Sequence, residues 1–426
     1  MRNHMFFQIL ALAILAALVA TAAGCAAPTG SPGKEGTMIE SQVTRQEPTD
    51  VPATDLGTLV ADNNAFAFDL YGALRSDEDN LLASPYSISI ALAMTYAGAR
   101  DETERQMADT LHFTLPQAQL HPAFNALDWA LHGRGQGEQA FRLRLVNALW
   151  GQRGYTFLDT FLDALARNYG AGLRTLDFSL PDAARQVIND WAAEQTEKKI
   201  EDLLPSDALD ASTVLVLANA IYFKAPWQSP FTETLTQDGT FTRLDGSQVT
   251  VPIMHVRARF SYVQDKGYQA VELPYGEGEM AMLILVPDEG AFTSFADALD
   301  AGRLDEILSG MQFASLDLAM PKFSYASGFE LAETLSAMGM PDAFEDADFS
   351  GMNGTGGIWI DEVYHKTFIT VDEQGTEAAA ATAVVITRGL GAPLQIDRPF
   401  IYLIRDVDTG AILFVGQVLD PSRSGL

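Results

Sequence analysis

The chain has a single cysteine, Cys25, so no internal disulfide can hold the fold together and stability must come from packing. Basic residues are scarce, 27 Lys and Arg against 56 Asp and Glu, and the net charge is −29. That balance disfavours nucleic acids and other polyanions, whose affinity rests on cations displacing counterions. The six histidines (His4, His112, His121, His132, His255, His365) show no HExxH spacing and have no cysteine partners. Neither a metal nor another cofactor is therefore expected. A GxSxG elbow, a Gly-rich phosphate loop and an internal repeat are all missing, so nothing in the sequence nominates an enzyme. Carboxylate pairs follow from the acidic composition and read as solvated faces. What is present is apolar: 47% of residues, with 10% aromatic, enough to bury a large core.

The N-terminus reads as a targeting segment. A polar start at Arg2 and His4 precedes an apolar run from Met5 to Ala20, and small residues then lead to TAAGC at 21–25. This resembles a bacterial lipoprotein signal, in which the cysteine is acylated and becomes the first residue of the mature chain. The expected division is a signal peptide over 1–24, a lipidated Cys25, and a flexible tether over 25–55 rich in Pro, Gly, Ser and Thr. The folded domain is then expected over 56–421, with a short tail over 422–426. An uncleaved membrane anchor is the alternative, because the apolar run is nearly long enough to span a bilayer.

From about Leu56 the pattern turns helical, with Leu59, Phe66, Leu70 and Leu74 on one face. A break at Ser84 and Pro85 opens an almost wholly apolar run to Ala99, expected to be a central buried helix. Helices are also expected over 159–170 and 182–196, the second with Ala183, Val187, Trp191 and Ala192 on a face. The later chain reads as strands: 214–227, the pair around GEGE (276–279), SLDLAMPKFSYA (315–326), and the pair around DTG (408–410). Helices first and mainly antiparallel strands afterwards predict an α+β class.

LQIDRPFIYLI (394–404) followed by ILFVGQVLDP (412–421) resembles the C-terminal signature of the serpin family. Further segments match in the family's order: NLLASPYSISIAL (80–92), INDWAAEQTEKKIEDLL (188–204), LVLANAIYFKAPWQSPF (215–231), ELPYGEGEMAMLILVP (272–287), MPKFS (320–324) and VYHKTFITVDEQGTEAAAAT (363–382). The resemblance implies a monomeric single domain of about nine helices and three mainly antiparallel sheets, with an exposed reactive loop over about 375–393. It implies an inhibitor rather than an enzyme, one that a serine protease attacks as substrate. The cut loop then enters the main sheet and traps the acyl-enzyme. It also implies a polar cluster controlling the sheet's centre, at Ser84, Ser87, Asn219 and His365. Phe223 and Trp227 match the apolar region where insertion begins. The region 111–150, where polyanion-activated members are basic, holds only scattered arginines, so no heparin-type partner is expected.

Members of this family need not be inhibitors, so the function depends on the loop itself. Its hinge runs Gly375, Thr376, Glu377, Ala378, Ala379, Ala380, Ala381, Thr382. An inserting strand presents alternate residues to the interior, and the resemblance aligns Thr376, Ala378, Ala380, Thr382, Val384 and Ile386 with those positions. They are small at the leading end and apolar or β-branched further on, and no proline precedes Pro393. Residues 376–387 would span roughly 40 Å as a strand. Counting from the two ends of the loop puts the residue before the cut at Arg388 or at Gly389. Arg388 is the only basic residue between Lys366 and Arg398, which favours Arg388–Gly389 and a trypsin-like target with an acidic pocket floor. A cut at Gly389–Leu390, or after Thr387, would suit elastase-like or subtilisin-like enzymes.

Overall fold

Ser84 shows how local sequence sets the architecture: its hydroxyl caps a helix by accepting the Ser87 N–H, and Pro85 occupies the first helical position. The computed structural model describes residues 36–134, 142–376 and 391–423. A short strand β1 (Thr37–Ile39) comes first, then α1 (Ala53–Leu74), β2 (Leu81–Ala83) and α2 (Pro85–Tyr96). They are followed by α3 (Asp101–Thr110), α4 (Gln117–His132), β3 (Arg142–Gln152), α5 (Asp159–Tyr169), β4 (Leu173–Leu176) and α6 (Pro181–Gln195). Strands then dominate: β5 (Leu215–Pro226), β6 (Gln237–Thr242), β7 (Gln248–Asp265), β8 (Tyr268–Tyr275) and β9 (Met280–Pro287). After α7 (Phe292–Asp297) and α8 (Ala301–Gly310) come β10 (Gln312–Pro321), β11 (Phe323–Glu330), α9 (Ala332–Met338) and α10 (Ser350–Asn353). The chain ends with β12 (Glu362–Val371), β13 (Gly375–Thr376), β14 (Ala392–Gln395), β15 (Phe400–Asp406) and β16 (Ile412–Val418).

Two sheets result. The main sheet runs β1-β4-β3-β5-β13-β12-β11, and the second runs β14-β10-β7-β8-β9-β15-β16-β2 with β6 beside β7. The third sheet of the expectation is continuous with the second here. β7 joins them, because it pairs with β6 over 248–253, with β10 over 253–262 and with β8 over 261–265. α2 is buried along its whole length and packs on β3 and β5 of one sheet and β16 of the other. An apolar run without a polar face fits that central position.

Three local expectations are corrected. SLDLAMPKFSYA is two strands rather than one: β10 pairs with β7 and β11 with β12, so the chain changes sheet at Lys322. In α6 the buried residues are Ala184, Ile188, Asn189 and Ala192, one step round from the expected face. Nor is all of 25–55 a flexible tether. Residues 37–46 carry a strand and side-chain bonds to the domain, and α1 begins at Ala53.

Candidate functional site

β5 and β12 lie side by side and parallel for six register pairs, from Val216 opposite Glu362 to Ile221 opposite Thr367. Further along, their direct pairing stops and β13 stands between them. Gly375 faces Pro226, while Thr376 faces Ala225 on one side and Val371 on the other, antiparallel to both neighbours. The main sheet is therefore closed along one part of this seam and wedged open at its mouth by two residues.

The wedge is built tightly. A Cβ on Gly375 would lie 2.1 Å from the Ala225 carbonyl oxygen, and its φ of +155° is one that side-chain-bearing residues rarely adopt. The Asp372 carboxylate accepts the N–H groups of Gln374 (2.9 Å) and Gly375 (3.2 Å), which shapes the turn into the wedge. Trp227 holds that turn from the side. Its indole N–H donates to the Asp372 carbonyl (2.9 Å), and its backbone N–H to the Gln374 carbonyl (2.8 Å). Glu373, although burial opposes its charge, is kept ionised below the usual carboxylate range by Lys322 at 2.5 Å and the Thr236 hydroxyl at 2.6 Å.

Tyr275 completes the mouth. Its ring stacks on Trp227 (4.4 Å between centroids, 11° between planes) and meets Phe223 edge-on at 5.1 Å. Its hydroxyl lies 2.6 Å from that of Thr376, and full burial pushes its pKa well above the ordinary tyrosine value.

Below the mouth, a polar row crosses the seam. Asn147 of β3, Asn219 of β5 and His365 of β12 occupy successive register positions, followed by the apolar Phe329 of β11. The Ser84 backbone N–H donates to His365 Nε2 (3.0 Å), so the ring proton sits on Nδ1 and is donated to Asn219 Oδ1. The Asn219 amide in turn donates to Ser87 Oγ (2.6 Å) and to Asn147 Oδ1, and the Ser84 hydroxyl donates to the Leu413 carbonyl (2.7 Å). His365 is 1% exposed, and desolvation pushes its pKa down to about 3, so it is neutral. The His365–Asn219 bond spans the two strands that a new strand would have to separate.

The expected site residues thus fall into two groups, Ser84, Ser87, Asn219 and His365 at the closed seam and Phe223, Trp227, Gly375 and Thr376 at its mouth. Glu377, Ala378, Ala379, Ala380, Ala381 and Thr382 lie outside the described residues, as do Arg388, Gly389, Leu390 and Cys25. The sequence reading did not nominate Asn147, Tyr275, Asp372, Glu373 or Thr367, whose buried hydroxyl donates to the Leu82 carbonyl at 2.8 Å. A polar residue inside the apolar stretch LVNALW of β3 was the available signal for Asn147. Among the described residues no cluster of side chains could hold a metal, and no nucleophile–base pair occurs in the seam. Its geometry can accept a strand.

The family described as Serpin (serine protease inhibitor) matches residues 61–421. The chain belongs to the serpin family. An uncharacterized serpin-like protein of Thermococcus kodakarensis is 40% identical over 367 residues, covering 84% of each chain. Human leukocyte elastase inhibitor is 36% identical over 376 residues, covering 84% of this serpin and 98% of that protein. Among solved structures, the native state of the thermophilic serpin tengpin superposes with a TM-score of 0.80 at 27% identity, over 91% of this chain and all of that one. Human thyroxine-binding globulin complexed with thyroxine gives 0.79 at 32% identity, over 87% of this chain and all of that one. The serpin fold, α+β, is thereby established, in a family whose members generally inhibit serine proteases.

Proposed function

We propose that this serpin is a single-use inhibitor of serine endopeptidases, anchored by an acylated Cys25 at a bacterial cell envelope with its domain facing outward. A target protease cleaves the loop and forms an ester between its catalytic serine and the new C-terminal carbonyl. Insertion of the loop as a strand between β5 and β12 then carries the acylated enzyme away before water can release it. The observation that supports this most is the wedge. Thr376 is already seated between Ala225 and Val371 in the antiparallel direction that a longer inserted strand would keep. From Ala225 down to Val216 the seam is roughly 30 Å long at the strand rise, and residues 376–387 are long enough to fill it.

The favoured scissile bond is Arg388–Gly389, with trypsin-like enzymes as targets. A cut at Gly389–Leu390 or after Thr387 is the second reading; the relatives named as leukocyte elastase inhibitor favour it. Incubation with a panel of trypsin-like, elastase-like and subtilisin-like proteases, followed by N-terminal sequencing of the released C-terminal peptide, separates the two. A peptide beginning at Gly389 is expected. One beginning at Leu390 or Arg388 would move the target class. Clean cleavage by every enzyme with no trapped complex would instead favour a binding role, as in the neighbour that carries thyroxine.

A further inference from the structure

Residues 46–52, Asp55 of α1, the first turns of α4 and the end of α5 line a cavity of about 610 Å³, a volume in the range of small-molecule sites. Its walls are tied together. The Gln46 N–H donates to the Arg167 carbonyl of α5 (3.0 Å), and the Gln46 carbonyl accepts the Asn125 amide of α4 (2.7 Å). Arg45 fixes the same corner, its Nε donating to Asn125 Oδ1 at 2.8 Å and its Nη2 lying 2.6 Å from Asp128 Oδ2. The cavity is therefore preformed.

One buried side chain on its wall is left unsatisfied. Along α4, Ala118, His121, Pro122 and Asn125 recur at the spacing of one helical face, and all four line the cavity. His121 is 6% exposed; its Nδ1 lies 2.6 Å from the Tyr169 hydroxyl, while its Nε2 has no hydrogen-bond partner. Desolvation lowers its pKa to about 4, so the ring is neutral at neutral pH. Buried polar atoms are normally hydrogen-bonded, and this one offers a bond that a ligand in the cavity can make.

The cavity carries charge of both signs. α4 begins after Pro116, whose side chain cannot cap it, and among the described residues nothing accepts the N–H groups of Gln117 and Ala118. Such a helix start draws an anion, and so does Arg167, which is exposed and has no ion pair among the described residues. Glu47 and Asp50 add exposed carboxylates that are likewise unpaired, whereas Asp55 sits in the first turn of α1 and complements that helix's own N-terminus. A plain anion is opposed by the carboxylates and a plain cation by Arg167 and the start of α4, and among the described residues no cluster could hold a metal. A ligand bearing both charges satisfies both walls. We propose that the cavity binds a short peptide with free ends, its carboxylate at Arg167 and the start of α4, its ammonium towards Glu47 and Asp50, and one of its polar groups bonded to His121 Nε2. Peptides with free ends are what proteolysis releases, yet the proposal does not rest on inhibition.

The probe is trialanine with free ends, titrated into the full chain carrying isotope-labelled histidine in mild detergent at neutral pH. It is expected to bind in the millimolar range or tighter and to shift the His121 ring resonances, which His121→Gln identifies, while those of His365 stay in place. N-acetyl-trialanine and trialanine amide, each lacking one charge, should bind about ten-fold more weakly or worse. Arg167→Ala should abolish the preference for a free carboxylate and keep that for a free ammonium, and Glu47→Gln combined with Asp50→Asn should do the reverse. These variants change exposed side chains, and unmoved His365 resonances verify the fold. Trialanine that leaves the His121 resonances in place at high millimolar concentration, blocked peptides that bind as well as the free one, or preferences indifferent to both variants would overturn the site.

Discussion

His365 is satisfied on both ring nitrogens, accepting from Ser84 and donating to Asn219, and only the neutral ring can do both. Burial lowers its pKa to about 3, whereas a histidine in the unfolded chain titrates near 6.5. Below about pH 6.5 the unfolded chain takes up a proton that the native ring does not, at about 1.4 kcal/mol per pH unit. The stability this residue contributes is thus complete above about pH 6.5 and is lost as the pH falls towards 3. In urea unfolding, His365→Gln is expected to cost about 1–3 kcal/mol at pH 7.5, and its gap to the parent chain should narrow at pH 5. A gap of equal size at both pH values would contradict a neutral ring. The cluster residues named from the sequence came through the family resemblance, not from their chemistry. Asn147 escaped because nothing in RLRLVNALW says which strand stands beside it.

At the scale of elements, the wedge depends on the aromatic wall at its mouth. Trp227 is 3% exposed, stacks on Tyr275 and bonds the turn at Asp372. Trp227→Ala should cost about 3–5 kcal/mol and speed hydrogen exchange at Gln374 and Gly375, whose amides the turn protects. Unchanged exchange there would mean that the Asp372 carboxylate alone holds the turn. α1 was legible from its apolar spacing and α2 from its apolar run and the Ser84–Pro85 start, all of them local properties. β1 was not, since TMI in a polar stretch becomes a strand only where the edge of β4 offers partners. The change of sheet at Lys322 was hidden for a similar reason: β10 and β11 both alternate apolar and polar residues, and their partners lie far away in sequence. The resemblance located the hinge, while the side chains that grip it, from Tyr275 to Glu373, come from separate segments.

For the whole molecule, the proposed insertion would be downhill. Opening it removes one parallel ladder of six register pairs, while an inserted strand forms antiparallel ladders on both sides, the more stable kind. A net gain on the order of ten backbone bonds at about 1 kcal/mol each, with about 2 °C per kcal/mol for a large domain, gives a rise in Tm on the order of 20 °C. Differential scanning calorimetry before and after cleavage of the loop should show it, and an unchanged Tm would mean that the cut loop stays outside the sheet.

Insertion itself is tested most directly at the residue that leads it. Thr376 is 1% exposed and faces the Tyr275 hydroxyl, so an arginine there must bury an unpaired charge or block the strand. The parent serpin and Thr376→Arg, each mixed with equimolar trypsin and run on a denaturing gel, should give opposite results. A denaturant-resistant complex is expected for the parent chain and clean cleavage without complex for the variant. A parent chain that is merely cut, or a variant that still traps the protease, would contradict it.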